Sequence, residues 1–198
     1  MKMKLRPDLA IIADAVPHGV RALDVGCGDG TLLSALRREK NVDARGLEID
    51  AANVTAAIAA GESVVQGDAN QDLDAYPDDA FDYAILSQTL QTTERPDRVI
   101  EELLRIAPRA FVSFPNFAHW KVRWSLMWNG RMPVTRLIPV AWYETPNIHH
   151  LTVSDFRHLM VERDIKVENA WFLSGDRLIN DSAANWRAEH AIYLIGRG

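Results

Sequence analysis

The chain has 198 residues, 47% of them hydrophobic and 25% charged, with a formal net charge of −5. That mix excludes a disordered chain and suits one ordinary domain, long enough to bury a sizeable core. No run of about 18 apolar residues occurs, so no membrane-spanning helix is expected, and the mild acidity argues against non-specific nucleic-acid binding. The basic start, Met1-Lys2-Met3-Lys4-Leu5-Arg6-Pro7, lacks the apolar stretch of an export signal. The single cysteine, Cys27, has no internal disulfide partner, which fits a reducing cytoplasm as the expected compartment. Six tryptophans are present, and Trp120, Trp124, Trp128 and Trp142 crowd into one middle segment.

In chain order, residues 7–16 read as a helix: Pro7 suits a first helical position, and Leu9, Ile12 and Val16 share a face. Residues 21–26 read as a strand running into a glycine-rich turn. Helical spacing returns over 31–39 through Leu32, Leu33 and Leu36. A second strand spans 44–49, followed by an alanine-rich helix over 51–60 with Asp50 as its cap. A short third strand covers 63–67, and the apolar run 81–87 has strand length. A helix starts near Pro96, carries Val99, Ile100, Leu103 and Leu104 on one side, and stops near Pro108; 110–114 is another buried strand. Thr152-Val153-Ser154-Asp155 has the pattern of a capping box, opening a helix with Phe156, Leu159 and Met160 on its face. Residues 165–174 and 189–196 read as strands with no helical pattern between them, so they are expected to pair antiparallel at a sheet edge. Alternating strands and helices imply a parallel sheet covered on both faces. The expectation is one domain over 1–198, a three-layer α/β/α sandwich with a mostly parallel seven-stranded sheet and an antiparallel C-terminal strand.

The densest chemical signal is Leu23-Asp24-Val25-Gly26-Cys27-Gly28-Asp29-Gly30-Thr31. Glycines permit a tight turn and a close ligand approach, and the helix that follows presents N-terminal amides to negative charge. The third glycine comes one residue too early for a dinucleotide fingerprint, which disfavours a nicotinamide oxidoreductase. No Gly-Lys-Ser/Thr follows, so a P-loop is excluded.

The arrangement resembles the first motif of class I S-adenosylmethionine-dependent methyltransferases, whose Rossmann-like fold the resemblance implies here. On that resemblance Asp24, Gly26, Cys27, Gly28 and Gly30 belong to the cofactor site, with the Cys27 thiol expected to pack and not react. Glu48, with Ile49 beside it, aligns with the acid that takes the ribose hydroxyls. Gly67, Asp68 and Ala69 stand where the family contacts adenine, and Ser87 and Gln88 where it approaches the methionine moiety. The implied ligand is S-adenosylmethionine or S-adenosylhomocysteine; no metal is expected. Methyl transfer needs mainly a positioned acceptor, with a general base if a proton must leave. Candidate bases are His119, Tyr143 and His149, beside His150. The strand-end sequence Ser87-Gln88-Thr89-Leu90-Gln91 lacks the Asn/Asp-Pro-Pro-aromatic motif of nucleic-acid amino-methyltransferases, so nucleobase substrates are not expected.

Residues 116–150 carry Lys121, Arg123, Arg131 and Arg136 against Glu144 alone, a formal +3 in a chain of −5. Trp120, Trp124 and Trp128 recur at i, i+4 and i+8, one stripe of a helix. The commonest explanation of such a stripe is packing on the sheet. A lid over the substrate pocket and an aromatic–arginine patch for a protein partner are the other two.

The insert also resembles the MetW family of methionine-biosynthesis proteins, through Phe114-Pro115-Asn116-Phe117-Ala118-His119-Trp120, Gly130-Arg131-Met132-Pro133 and Trp142-Tyr143-Glu144-Thr145-Pro146-Asn147-Ile148-His149. The glycine turn and Ser87-Gln88-Thr89-Leu90-Gln91 match as well, and the likeness runs from about residue 5 to about 175. His150 is a departure, since members often lack a second histidine there. The resemblance implies a role beside homoserine O-acyltransferase, with Trp120, Trp124, Trp128 and Arg131 as the expected contacts, and neither a nucleic-acid nor a membrane partner.

Overall fold

A computed structural model describes residues 5–135 and 138–198; Lys2, Lys4 and Arg136, counted above among the basic residues, lie outside it. Strands β1 (Arg21–Val25), β2 (Asp43–Glu48), β3 (Ser63–Gln66), β4 (Tyr83–Ser87) and β5 (Arg109–Pro115) all run parallel. They are joined by α2 (Thr31–Lys40), α3 (Ala51–Ala59) and α4 (Pro96–Ile106), with α1 (Pro7–Ala15) ahead of them. Beyond β5 come α5 (Trp120–Asn129), α6 (Val153–Glu162), β6 (Lys166–Ser174), β7 (Arg177–Ile179), α7 (Ala184–Arg187) and β8 (His190–Gly196). The sheet order is β3-β2-β1-β4-β5-β8-β6-β7.

Successive strand residues face opposite sides of a sheet, and the middle of β4 and of β5 is apolar on both faces. On β4, Ile85 packs with Ile12 of α1 and Leu33 and Leu36 of α2; its neighbour Leu86 packs with Ile100 and Leu103 of α4 and Phe156 of α6. Phe111 and Val112 of β5 divide in the same way. Two cores, one on each face, make the three-layer sandwich. The caps follow the sequence: Asp50 accepts from the amides of Ala52 and Asn53, and Thr152 and Asp155 form a reciprocal capping box.

The sheet differs from expectation in its strand count. It has eight strands, because Gly175 and Asp176 turn β6 back into the three-residue β7, a strand too short to show periodicity. The expected antiparallel pair of β6 and β8 forms at that end of the sheet, with β8 as its inner strand. This inner strand lies between β5 and β6, antiparallel to both, so that Ala191, Ile192, Tyr193 and Ile195 are buried on the two faces of the sheet. The short α7 sits in the connection, where no helical pattern was legible.

The tryptophan stripe is helical, as its spacing predicts, but it does not pack on the sheet. Trp120, Trp124 and Trp128 are 42%, 52% and 68% exposed, and Val122 alone on α5 is buried, in a small cluster with Phe117 and Ile138. The reason is topological. The crossover from β5 to β6 is made by α6, so α5 has no strand to return to and leaves the sheet at its carboxyl edge. Among the described residues no helix is long and apolar enough to cross a membrane.

Phe156 is 1% exposed, with its ring 4.9 Å from Phe114 and 4.6 Å from Tyr193. Phe156→Ala is expected to cost about 3–5 kcal/mol, read as a lower urea midpoint at unchanged slope.

Candidate functional site

At the end of β1 the chain turns through Gly26, whose amide, with that of Cys27, donates to the Leu47 carbonyl on β2. Gly26 has φ +75°, and a Cβ there would lie 2.4 Å from the Thr89 Oγ1, so both conformation and space require glycine. Gly28 has φ +57° but nothing within 4 Å of its missing Cβ: the turn is open on that side, where a ligand can approach the backbone.

Glu48 ends β2 and is buried. Its Oε2 accepts from the Gly28 amide at 2.7 Å and its Oε1 from the Asp50 amide at 2.9 Å. The carboxylate thus pins the glycine turn to the entry of α3. Asp68, after β3, accepts from the backbone and side-chain nitrogens of Asn70 at 2.8 Å each, which closes a turn at the cleft wall. Between these turns lies a cleft of about 320 Å3, bounded by Gly26, Ile49, Gly67, Asp68 and Ala69 on one side and Thr89, Thr92, Thr93 and Pro146 on the other. Ile49 is 62% exposed, an apolar wall with nothing packed on it.

Beneath the turn, Asp24 is 2% exposed and its Oδ1 has no hydrogen-bond partner. Burial pushes its carboxyl up to about 7; the charge of Arg6 opposes this and that of Glu48 adds to it. An unsatisfied buried acceptor is costly, and a cationic or hydrogen-bond-donating ligand group would satisfy it.

The end of β4 carries a second polar network. The Ser87 hydroxyl donates to Asp8 Oδ2 and lies 3.1 Å from the Ser113 Oγ, and Arg6 donates to both Asp8 and Ser87. Burial raises the Asp8 carboxyl, but the hydrogen bond and charge of Arg6, helped by Ser87, outweigh it and hold the group below its ordinary range. Gln88 adopts φ +56°, a strained conformation for a non-glycine residue. Its amide nitrogen donates to the Ser113 carbonyl, and its side-chain nitrogen lies 3.0 Å from His190 Nδ1. A second cavity, of about 310 Å3, opens there beside Arg6, Asp8, Gln88, Glu189 and His190.

The fold therefore brings the strand-end residues of the sequence reading to one edge, with differences in role. Cys27 does not line the cleft. Its thiol is buried beside Gly46, where a Cβ would sit 2.4 Å from the Sγ, and burial, then Asp24 and Glu48, push the thiol well above its ordinary range. His119 is a buried helix cap whose Nδ1 accepts from the Lys121 amide; burial and Lys121 push its pKa down against the pull of Glu189. Tyr143 is exposed and stands edge-on to Trp142, and neither it nor His119 lines the cleft. His149 lies nearer: its amide and that of Ile148 donate to the Gln91 carbonyl, behind the wall that Pro146 forms. Sequence reasoning did not assign Asp8, Ser113, Thr89 or His190. Asp8 carries the only local signal, an acid just inside a helix start, which ordinarily marks a solvated dipole partner.

A family model described as "Methionine biosynthesis protein MetW" matches residues 6–195. The chain belongs to the MetW family. A relative from Rhodopirellula baltica, named "Bifunctional methionine biosynthesis protein MetXA/MetW", is 32% identical over 205 residues, covering 98% of this chain and 33% of that protein. This MetW chain thus spans about a third of that relative's length. A solved S-adenosylmethionine-dependent methyltransferase from Mesorhizobium loti superposes with a TM-score of 0.71 at 17% identity, covering 96% of this chain and 98% of the other. Another from Archaeoglobus fulgidus gives 0.66 at 15%, covering 95% and 90%. At those identities the likeness is one of fold, and it shows a methyltransferase-type sandwich.

The raised Asp24 carboxyl is expected to make stability pH-dependent. With its folded pKa raised from 3.8 to about 7, the stability that its neutral form retains below 3.8 is lost progressively as pH rises to about 7. Asp24→Asn is expected to remove that loss. In melts from pH 5 to 8 its advantage over wild type should grow by about 3 kcal/mol, at 1.36 kcal/mol per unit up to about pH 7, and level off above.

Proposed function

We propose that this protein binds S-adenosylmethionine or S-adenosylhomocysteine in the 320 Å3 cleft and acts with homoserine O-acyltransferase in methionine biosynthesis, modulating that enzyme. The observation that carries the ligand reading is the buried, unpartnered Asp24 Oδ1 beneath a glycine turn that is open at Gly28. The residues present fit the ligand group by group. Asp24, buried beneath the turn, suits the ammonium, and Arg6, at the neighbouring 310 Å3 cavity, the carboxylate. Glu48 keeps further acceptor capacity for the ribose diol beyond the two amides it already holds. Ile49, Asp68 and Ala69 offer an apolar wall and an acceptor to adenine. The chemistry available from such a cofactor is a sulfonium-activated methyl group.

Membership of a methionine-biosynthesis family supports the pathway. The Rhodopirellula baltica relative, which carries both the MetXA and MetW names on one chain, supports the partnership. S-adenosylmethionine is made from methionine, so a protein that binds it can report supply, provided affinity differs between the free and complexed states.

Glu48→Ala is expected to weaken S-adenosylmethionine binding by tenfold or more in calorimetry, through loss of charge-assisted hydrogen bonds and of the Gly28 tether. Unchanged affinity would sink the ligand reading. The partnership is tested by titrating the protein, with and without S-adenosylmethionine, into an acyl-transfer assay of the acyltransferase; no complex and no rate change would defeat it.

A second reading, a small-molecule methyltransferase, is favoured by the 310 Å3 cavity beside Gln88 and His190. Turnover to S-adenosylhomocysteine with a defined acceptor would establish it.

A further inference from the structure

We infer that the outward tryptophan face of α5 is the surface that docks the acyltransferase, an inference resting on the partnership proposed above. At 3.6 residues per turn, Trp120, Trp124, Met127 and Trp128 fall within about 100° of helix arc. Val122, the buried anchor of α5, lies on the opposite side. The helix is held by its small face and presents its large one: Met127 is 64% exposed and Trp128 68%. Trp124 and Trp128 already pack on each other, ring centroids 4.9 Å apart, so little side-chain freedom remains to be lost on binding.

The patch extends beyond α5. Arg123 lies 5.1 Å from the centroid of the half-exposed Trp186 ring, which joins α7 to the same surface. Trp120, Trp124, Met127, Trp128 and Trp186 are each at least 42% exposed, more large apolar side chains than singly scattered surface residues supply.

Its charge narrows the occupant. From residue 120 to 143 the sequence has no acid, while Lys121, Arg123 and Arg131 are exposed around the indoles. A few cations spread among four indoles, on a chain of net charge −5, make a weak footprint for phosphate. They suit an apolar protein surface rimmed by carboxylates, with Trp and Arg as anchors. In the Rhodopirellula baltica relative the two named units share one polypeptide, a tether that keeps such a partner at high effective concentration.

The test uses Trp124→Ala/Trp128→Ala, both exposed positions, with thermal melting and S-adenosylmethionine affinity as controls of the fold. Val161→Ala, at an 81% exposed site on α6, serves as a remote control. Binding to the acyltransferase of the same organism is measured by sedimentation and calorimetry. The double variant is expected to lose at least 100-fold in affinity for that enzyme, at unchanged ligand affinity, while Val161→Ala binds as wild type. A wild-type complex that the double variant forms equally well would overturn the docking face and leave the partnership standing. No complex with the wild type would sink the partnership itself, and the docking face with it. Self-association of the wild type, abolished by the double variant while acyltransferase binding persists, would assign the face to a second copy and overturn the inference.

Discussion

Glu48 is the tie on which the cleft depends. One buried carboxylate accepts from the Gly28 amide with one oxygen and from the Asp50 amide with the other. The turn after β1 and the start of α3 therefore cannot move independently. The Leu47 carbonyl beside it receives the amides of Gly26 and Cys27, so the end of β2 holds the glycine turn through three backbone donors. Within the turn, Asp29 Oδ1 adds a further tie by accepting from the Thr31 amide and hydroxyl. The turn's open side at Gly28 is left for a ligand, and Asp24 is left buried below it without a partner at Oδ1.

A second constraint acts at the next strand junction. Asp8 is buried and stays charged only because Arg6, Ser87 and their hydrogen bonds compensate its desolvation. That network fastens the first turn of α1 to the ends of β4 and β5, and it holds Arg6 where its charge is felt at Asp24. The left-handed Gln88 sits at the same junction, bonded to Ser113 and facing His190. Strain and buried charge concentrate at the carboxyl edge of the sheet, where ligands of open α/β folds bind, while the two apolar faces carry stability.

The segment between β5 and α6 serves both regions. Pro146 is a wall of the cleft, and the adjoining amides of Ile148 and His149 are fixed on the Gln91 carbonyl. At the other end of the segment α5 turns its indoles outward. His150 stands edge-on to Phe117, 4.7 Å between centroids, and Phe117 packs with Val122 of α5. One piece of chain thus touches the cleft and supports the exposed aromatic face.

Local chemistry made much of this legible. The alternating pattern, Pro7 and Pro96 at helix starts, the Asp50 cap and the Thr152–Asp155 box are all short-range devices, and the elements they define stand where expected. So do the glycine turn and the acids at the ends of β2 and β3, because a strand followed by a tight turn brings its last residues to the sheet edge whatever the rest of the chain does. Features that depend on distant segments were not legible. The burial of Asp8 depends on β4 and β5, the insertion of β8 between β5 and β6 on which gap in the sheet buries both of its faces, and the outward stance of Trp120, Trp124 and Trp128 on α6 taking the crossover. By itself the sequence determined the elements other than β7 and α7, the turn and the family. Only the tertiary structure decided which side of α5 meets solvent and which carboxylate is left without a partner, because exposure and burial are properties of what packs from elsewhere in the chain.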